Sequence, residues 1–153
     1  MRLARFAVVI TFSACANACT TISAPPTPES ARILVQLSVA RTAAYDKTVA
    51  AFVAEGLNIA NGSTEGTLAS VPIDIANQVP ATYRAAFIGT DSGTTVVLSG
   101  SIKNENGAVM AQAMTGLKSE AREFQLHSAM TGQLGEAWAR LERIAARLRE
   151  TAR

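Results

Sequence analysis

Residues 83–103, YRAAFIGTDSGTTVVLSGSIK, carry the pattern that decides the fold. Apolar side chains alternate with small or polar ones on both sides of the turn signal at residues 91–93 (DSG). A period of two predicts half-buried strands, and a short Gly-containing turn between them predicts an antiparallel hairpin. A second turn signal at residues 104–107 (NENG) precedes a third predicted strand at residues 109–113. The middle of the chain is therefore predicted to be an antiparallel meander.

A strand and a helix are predicted before this meander. Residues 33–39 alternate between apolar and polar side chains, which predicts a half-buried strand. Residues 42–55 carry one apolar stripe and predict an amphipathic helix, with Thr42 as its N-cap and Asp46 in its first turn. Gly56 suits the left-handed backbone conformation that commonly ends a helix.

The segment between this helix and the meander returns to a period of two. Residues 57–59 and residues 67–75 predict strands, and Pro72 favours an edge position for the second one. The dipeptides Asn61-Gly62 and Glu65-Gly66 are turn signals. These features predict short strands that are joined by turns.

A long helix is predicted over residues 135–153, and residues 117–132 before it fit either a short helix or an irregular loop. The apolar stripe of the long helix consists of Trp138, Leu141, Ile144, Ala145 and Leu148. The order of elements predicts an α+β fold, namely a two-layer sandwich. In it, an antiparallel sheet of about four to six strands would pack against an N-terminal helix and the long C-terminal helix.

The first residues have the order of a secretory signal peptide. Arg2 and Arg5 precede a short apolar run at residues 6–14, and small residues follow it. Positive charge, an apolar segment and small residues in this order are typical of an export signal. The run is about half of the roughly 20 apolar residues that a membrane-spanning helix needs. We therefore expect residues 1–18 to be a cleaved signal peptide.

The end of this leader resembles that of bacterial lipoproteins, in which a signal peptidase cuts before a cysteine that then receives a diacylglyceryl group. The resemblance implies lipidation of Cys19, with Cys15 as the alternative site. Ala16 and Ala18 also satisfy an ordinary A-x-A cleavage site, which would release a soluble periplasmic protein. Ala16 and Thr20 follow the two cysteines and neither is Asp, which by resemblance to lipoprotein sorting implies the periplasmic face of the outer membrane.

Residues 19–31 predict a tether that begins at the lipidated cysteine. Three of the five prolines of the chain lie in it, and such a composition cannot form a packed helix or strand. Residues 32–153 then form a single predicted domain, which the N-terminal lipid would anchor to the membrane.

Charge and cysteine content exclude several classes of function. Two of the 14 basic residues lie in the leader, so the remaining 12 balance the 12 acidic ones, and we expect no nucleic-acid partner. Cys15 and Cys19 are the two cysteines of the chain, so the domain has no thiol for a disulfide or a metal site. His127 is the single histidine, and no Ser-His-Asp or zinc-ligand pattern surrounds it. We therefore expect no catalytic residue, metal or cofactor.

One charged feature of the long helix is a candidate site. Arg140, Arg143 and Arg147 recur at a spacing that places them on one side of the helix. Glu142 and Glu150 lie between or beside them, which is typical of a solvated face. The alternative interpretation is a partner surface.

The layout of residues 32–150 resembles the helix-grip and related small domains of bacterial envelope lipoproteins. This resemblance rests on the order of the elements and on the predicted helix that ends at Gly56 and is followed by short strands. We expect a non-enzymatic lipoprotein that presents a binding or assembly domain to another envelope protein. The alternative is a periplasmic binder of a small amphiphile in an apolar pocket between helix and sheet. The small inward-facing residues that would leave this room are Ala85, Gly100, Ala111 and Ala113.

Overall fold

The computed structural model describes residue 27 and residues 29–62, 66–75, 79–104 and 122–152. The predicted leader, both candidate lipidation sites and the strand predicted at residues 109–113 lie outside the described residues. The described chain contains the following elements in order: β1 Arg32–Leu37, α1 Arg41–Ala54, β2 Ile59–Gly62, β3 Thr67–Ser70, β4 Ile73–Asp74, β5 Pro80–Thr90, β6 Gly93–Asn104, β7 Arg122–Gln125 and α2 Gly132–Glu150.

The predicted hairpin forms the centre of one antiparallel sheet. Strands β5 and β6 pair along their length, and Phe87 lies opposite Val96. On the far side of β6, Val35 of β1 also lies opposite Val96, so one buried row crosses three strands. The sheet follows the order β1-β6-β5-β3-β2, with β7 also paired to β6 and β4 also paired to β5. The prediction of an α+β fold with an antiparallel sheet is confirmed.

The described sheet has seven strands, more than the four to six that were predicted. The difference arises at its edges, where two short strands share one long partner. Along β6, β1 pairs with residues 94–99 and β7 with residues 101–104. Along β5, β3 and β4 are separated by Val71 and Pro72. Because proline has no N–H to donate to a ladder, it interrupts what was predicted as one continuous strand.

Strand β7 occupies a region where the prediction was a short helix or an irregular loop. It spans Arg122–Gln125, and Phe124 lies opposite Ile102 of β6. A strand of four residues is too short to show a clear period in sequence. Its conformation depends on pairing with β6, which is a long-range contact that local sequence does not reveal.

Helix α1 starts one residue earlier than predicted and without a side-chain cap. Ala40 is the N-cap residue and makes no side-chain hydrogen bond to the helix. The prediction of Thr42 as N-cap is therefore wrong, as is the placement of Asp46 in the first turn, which contains no acidic residue. The start of α1 is instead dictated by packing, because its buried face holds Ala44 and Thr48.

The end of α1 follows the predicted pattern. Gly56 has a φ of 76°, a left-handed conformation that glycine adopts without a steric penalty. Its N–H donates to the carbonyl of Val53 at 3.0 Å, and the N–H of Leu57 donates to the carbonyl of Phe52 at 3.0 Å. This pair of bonds is the Schellman motif, and the accompanying apolar contact comes from Leu57 and Phe52, which are both buried.

The turn signal at Asn61-Gly62 does not mark a turn, since both residues lie in β2. Gly62 is required there for space, because a Cβ at this position would overlap the hydroxyl of Tyr45. The glycine thus allows the aromatic side chain of α1 to lie against the strand.

Both helices pack on the same face of the sheet and share one core. The predicted stripe of α2 is buried throughout, and it joins residues of β1, β5 and β6 in a single cluster. The residues of the hairpin that face the core are Tyr83, Ala85, Phe87, Val96, Leu98, Gly100 and Ile102, and their burial agrees with the alternation in the sequence. The rest of the α2 surface carries the arginines, of which Arg143 and Arg147 are exposed and Arg140 is half-buried.

Candidate binding site on the C-terminal helix

Two of the three predicted arginines bind a glutamate on the other helix. The Nε–H of Arg143 donates to Oε2 of Glu55 at 2.8 Å, and the Nε–H of Arg147 donates to Oε1 at 2.8 Å. Each arginine therefore uses one carboxylate oxygen. The Glu55 side chain is 8% exposed, whereas the two arginine side chains are about half exposed.

The electrostatics of this cluster favour the ionised carboxylate. Burial by itself would raise the pKa of the Glu55 carboxyl, but the hydrogen bonds and charges of Arg143 and Arg147 outweigh that effect. The pKa of Glu55 therefore lies below its usual value. Glu55 is also the C-cap residue of α1, where a negative charge opposes the helix dipole. The two arginines compensate this charge and join the helices.

Arg140, the third residue of the predicted row, has a different environment. Its guanidinium carbon lies 5.9 Å from the centroid of the Tyr83 ring, at the distance of a cation–π contact. Tyr83 belongs to β5 and is fully buried, so the ring is a fixed surface for the arginine. Within the described residues, Arg140 forms no salt bridge to a carboxylate.

Two polar atoms of this pair have no hydrogen-bond partner among the described residues. They are the hydroxyl oxygen of Tyr83 and Nη1 of Arg140, and both are buried. Burial raises the pKa of the Tyr83 hydroxyl, whereas the positive charge of Arg140 and a side-chain interaction of hydrogen-bond type with it act in the opposite direction. The guanidinium is thus near the hydroxyl, although neither Tyr83 Oη nor Arg140 Nη1 has a partner within normal hydrogen-bond geometry among the described residues.

A cleft of about 280 Å³ opens beside Arg140, between α2 and the short strand β4. The lining side chains are Asp74 and Ile75 on one wall and Gln133, Glu136, Ala137, Arg140 and Arg143 on the other. Charges of both signs therefore line it. Asp74 and Glu136 are exposed, and neither forms an ion pair with another residue that the structure describes.

A second polar cluster lies on the opposite face of the sheet. The Ser101 hydroxyl and Nη2 of Arg84 both donate to Oε1 of Glu123, the arginine at 2.8 Å. The hydrogen bond from Ser101 lowers the pKa of the Glu123 carboxyl, and Arg84 reinforces it against the effect of burial. The three residues belong to β6, β5 and β7, so this cluster ties the short edge strand to the sheet.

The remaining candidate chemistry does not assemble in the described chain. His127 is half-buried between β7 and α2, and its Nδ1 has no hydrogen-bond partner among the residues described. Over the same residues, no group of three His, Cys, Asp or Glu side chains is arranged to hold a metal ion. Neither described helix combines the length and apolarity needed to cross a membrane.

The space that an apolar pocket would need at Gly100 is occupied. The N–H of Leu126 donates to the carbonyl of Gly100 at 2.7 Å, and the Leu126 side chain lies over the glycine. A Cβ at Gly100 would also meet Cδ1 of Leu141 on α2 at 3.4 Å. Ala111 and Ala113, the other residues on which the amphiphile hypothesis depends, lie outside the described residues.

The residues that complete the candidate site were not predicted from sequence. Glu55, Tyr83 and Asp74 come from the end of α1, from β5 and from β4, and only the fold brings them to the arginine row, whereas Glu136 lies one turn before Arg140 on α2 itself. No protein-family model matches this chain, and no curated protein matches it with significant similarity. Any function therefore has to be argued from the residues themselves.

Proposed function

We propose that this protein is a non-enzymatic lipoprotein of the bacterial cell envelope. Cys19 would carry the lipid, the outer membrane would hold the anchor, and the domain would face the periplasm. There the domain, a two-layer α+β sandwich of the helix-grip kind, would present a binding surface to another envelope component. The surface is the part of α2 around Arg140, at the cleft beside β4.

The observation that carries the binding part of this proposal is the state of Arg140. Arg143 and Arg147 are both ion-paired with Glu55, but Arg140 has no anionic partner in the described chain and is held by the ring of Tyr83. A positioned charge loses less conformational entropy on binding than a mobile one. Arg140 is therefore better suited to recognise an outside group than its two neighbours.

The envelope part of the proposal rests on the predicted leader and tether. The carbonyl of Ser30 accepts a hydrogen bond from the N–H of Ser128 at 2.9 Å, in the loop that leads into α2. The proposed tether would thus leave the domain beside the helix that carries the arginines. The chain between Cys19 and Arg32 can span at most about 45 Å, so the domain would stay close to the membrane.

The test of the anchor is an intact-mass measurement on protein from the membrane fraction of a bacterial host. Wild type, Cys19→Ala and Cys15→Ala are compared. We expect a species that starts at residue 19 with added acyl mass, and loss of that mass in Cys19→Ala but not in Cys15→Ala. Acyl mass lost only in Cys15→Ala would move the anchor to that residue. An unmodified species in the soluble periplasmic fraction would overturn the lipoprotein proposal.

The test of the surface uses a photo-cross-linking amino acid placed at position 133 in intact cells, because Gln133 is exposed and lines the cleft beside Arg140, which is retained. The same probe at position 149, on an exposed part of α2, serves as the matched control. We expect adducts from position 133 that are absent from position 149. Equal adducts from both positions, or none from either, would contradict a specific surface at Arg140.

A further inference from the structure

The cleft beside Arg140 has a charge pattern that restricts what can bind in it. Its α2 wall contributes Arg140, which is uncompensated within the described residues, and its β4 wall contributes Asp74. Glu136 precedes Arg140 by one helical turn and is exposed. The site therefore offers one group that prefers an anion and two that prefer a cation.

Three simple ligand classes fit this lining poorly. A purely anionic ligand near Arg140 would be repelled by Asp74 and Glu136, and a purely cationic one by Arg140 and Arg143. An apolar ligand would remove these charges from water without offering them a partner, which is costly. A ligand with both charges could satisfy both walls at once.

We propose that the cleft binds a small zwitterion of the amino-acid or short-peptide class. Its carboxylate would pair with Arg140, whose planar guanidinium suits a two-oxygen acceptor. Its ammonium group would lie toward Asp74 and Glu136. The volume of about 280 Å³ suits one or two amino-acid residues.

The geometry beneath Arg140 supports this assignment. Tyr83 is fully buried and lies under the guanidinium, so Arg140 is held at the cleft by its ring contact and not by a carboxylate. Nη1 of Arg140 is buried without a hydrogen-bond acceptor among the described residues, so a ligand carboxylate would have to use the other N–H groups of the guanidinium. Arg143, by contrast, is committed to Glu55, which leaves Arg140 as the carboxylate-binding group.

This inference deepens the proposed function, on which it rests for its setting in the envelope, because it names the ligand class of the same surface. Its test is a titration in solution, with detergent present if the protein carries acyl mass. The full-length mature protein is titrated with alanyl-alanine, with its N-acetyl derivative and with its C-terminal amide, and binding is followed by calorimetry. We expect the zwitterion to bind at least tenfold more tightly than either derivative.

Variants then assign the two ends of the ligand. Arg140→Gln should weaken binding of the dipeptide at least tenfold, and Asp74→Asn on the opposite wall should weaken it severalfold. Arg149→Gln, an exposed arginine of the same helix outside this cleft, should bind like wild type. Circular dichroism checks that each variant is folded, and Asp74→Asn keeps the test decisive if Arg140→Gln does not fold.

The outcomes separate this inference from the proposed anchor. Equal binding of dipeptide and derivatives, or no binding of any of them, would overturn the zwitterion site even if the protein carries acyl mass. Tight, Arg140-dependent binding by a protein without acyl mass would support the site and contradict the anchor.

Discussion

Arg147 on the last helix donates its Nε–H to a carboxylate oxygen of Glu55, 92 residues earlier in the chain, over 2.8 Å. Arg143 donates to the other oxygen of the same carboxylate, so two ion pairs link α2 to the end of α1. A further polar contact between the two helices runs from Nζ of Lys47 to the carbonyl of Thr151. The helices are thus joined by charge at their outer surface as well as by the shared core.

Glu55→Gln should lower the free energy of unfolding by about 1–2 kcal/mol, because hydrogen bonds to a charged group are worth more than neutral ones. Glutamine keeps the shape and one acceptor but loses the charge that attracts both arginines. Urea denaturation measures the change. Glu150→Gln is the matched control, since this exposed glutamate of α2 forms no ion pair within the described chain, and it should change stability by less than about 0.5 kcal/mol. Equal effects of the two changes would contradict a stabilising role of the Glu55 cluster.

The free energy of unfolding should decrease as the pH is lowered below about 4.5, the usual pKa of a glutamate carboxyl. The pKa of Glu55 lies below its ordinary value of 4.5 in the folded protein. Its contribution is therefore fully present above about pH 4.5 and is lost as the pH falls through the lowered value. Glu123, whose pKa is also lowered, acts in the same direction.

Unfolding midpoints measured between about pH 7 and pH 3 test this dependence. The decrease in stability toward acid pH should be shallower for Glu55→Gln than for wild type. The variant lacks the carboxylate that takes up a proton when the wild-type protein unfolds at acid pH. Identical slopes for wild type and Glu55→Gln would show that the carboxylate of Glu55 is not linked to folding.

The sequence predicted those parts of the fold that depend on the residue pattern within one element. The β5–β6 hairpin and the stripe of α2 have strong periods, and Gly56 marks the end of α1 through a backbone requirement of its own. The strand β7 and the break at Pro72 were not predicted in this way. Both depend on which long strand a short segment meets, which is a tertiary property.

The candidate site was predicted only in part, for a similar reason. Arg140, Arg143 and Arg147 could be recognised as a row, but their partners lie on α1, β4 and β5. One signal was available, since Arg143 and Arg147 are like charges four residues apart on a helix and destabilise it unless an anion lies between them. That spacing indicates an acidic partner but not which of the acidic residues it is.

Gly100→Ala should destabilise the protein by about 1–3 kcal/mol, as expected for overpacking of a close-packed core. The added methyl would overlap the side chain of Leu126. The backbone N–H of Leu126 donates a hydrogen bond to the carbonyl of the same glycine, which holds this side chain in place. Thermal or urea unfolding measures the loss. Gly66→Ala is the control, because a Cβ at this position would meet no atom within 4 Å. The free energy of unfolding of this variant should stay within about 0.5 kcal/mol of the wild-type value. A Gly100→Ala protein as stable as wild type would mean that there is space beneath α2. That result would support the alternative hypothesis of an apolar pocket for a small amphiphile.

Tyr83→Phe should leave stability unchanged or raise it by about 1 kcal/mol, because the hydroxyl is buried without a hydrogen-bond partner in the described chain. The ring remains, so its contact with Arg140 is kept, and dipeptide binding should be unaffected. Urea denaturation and calorimetry with alanyl-alanine measure the two effects. Tyr45→Phe, which removes a hydroxyl from a half-buried ring, is the control and should be close to neutral. A loss of more than about 1 kcal/mol in Tyr83→Phe would mean that the hydroxyl has a partner, such as a buried water between it and Arg140. A selective loss of dipeptide binding would instead place that hydroxyl in the ligand site itself.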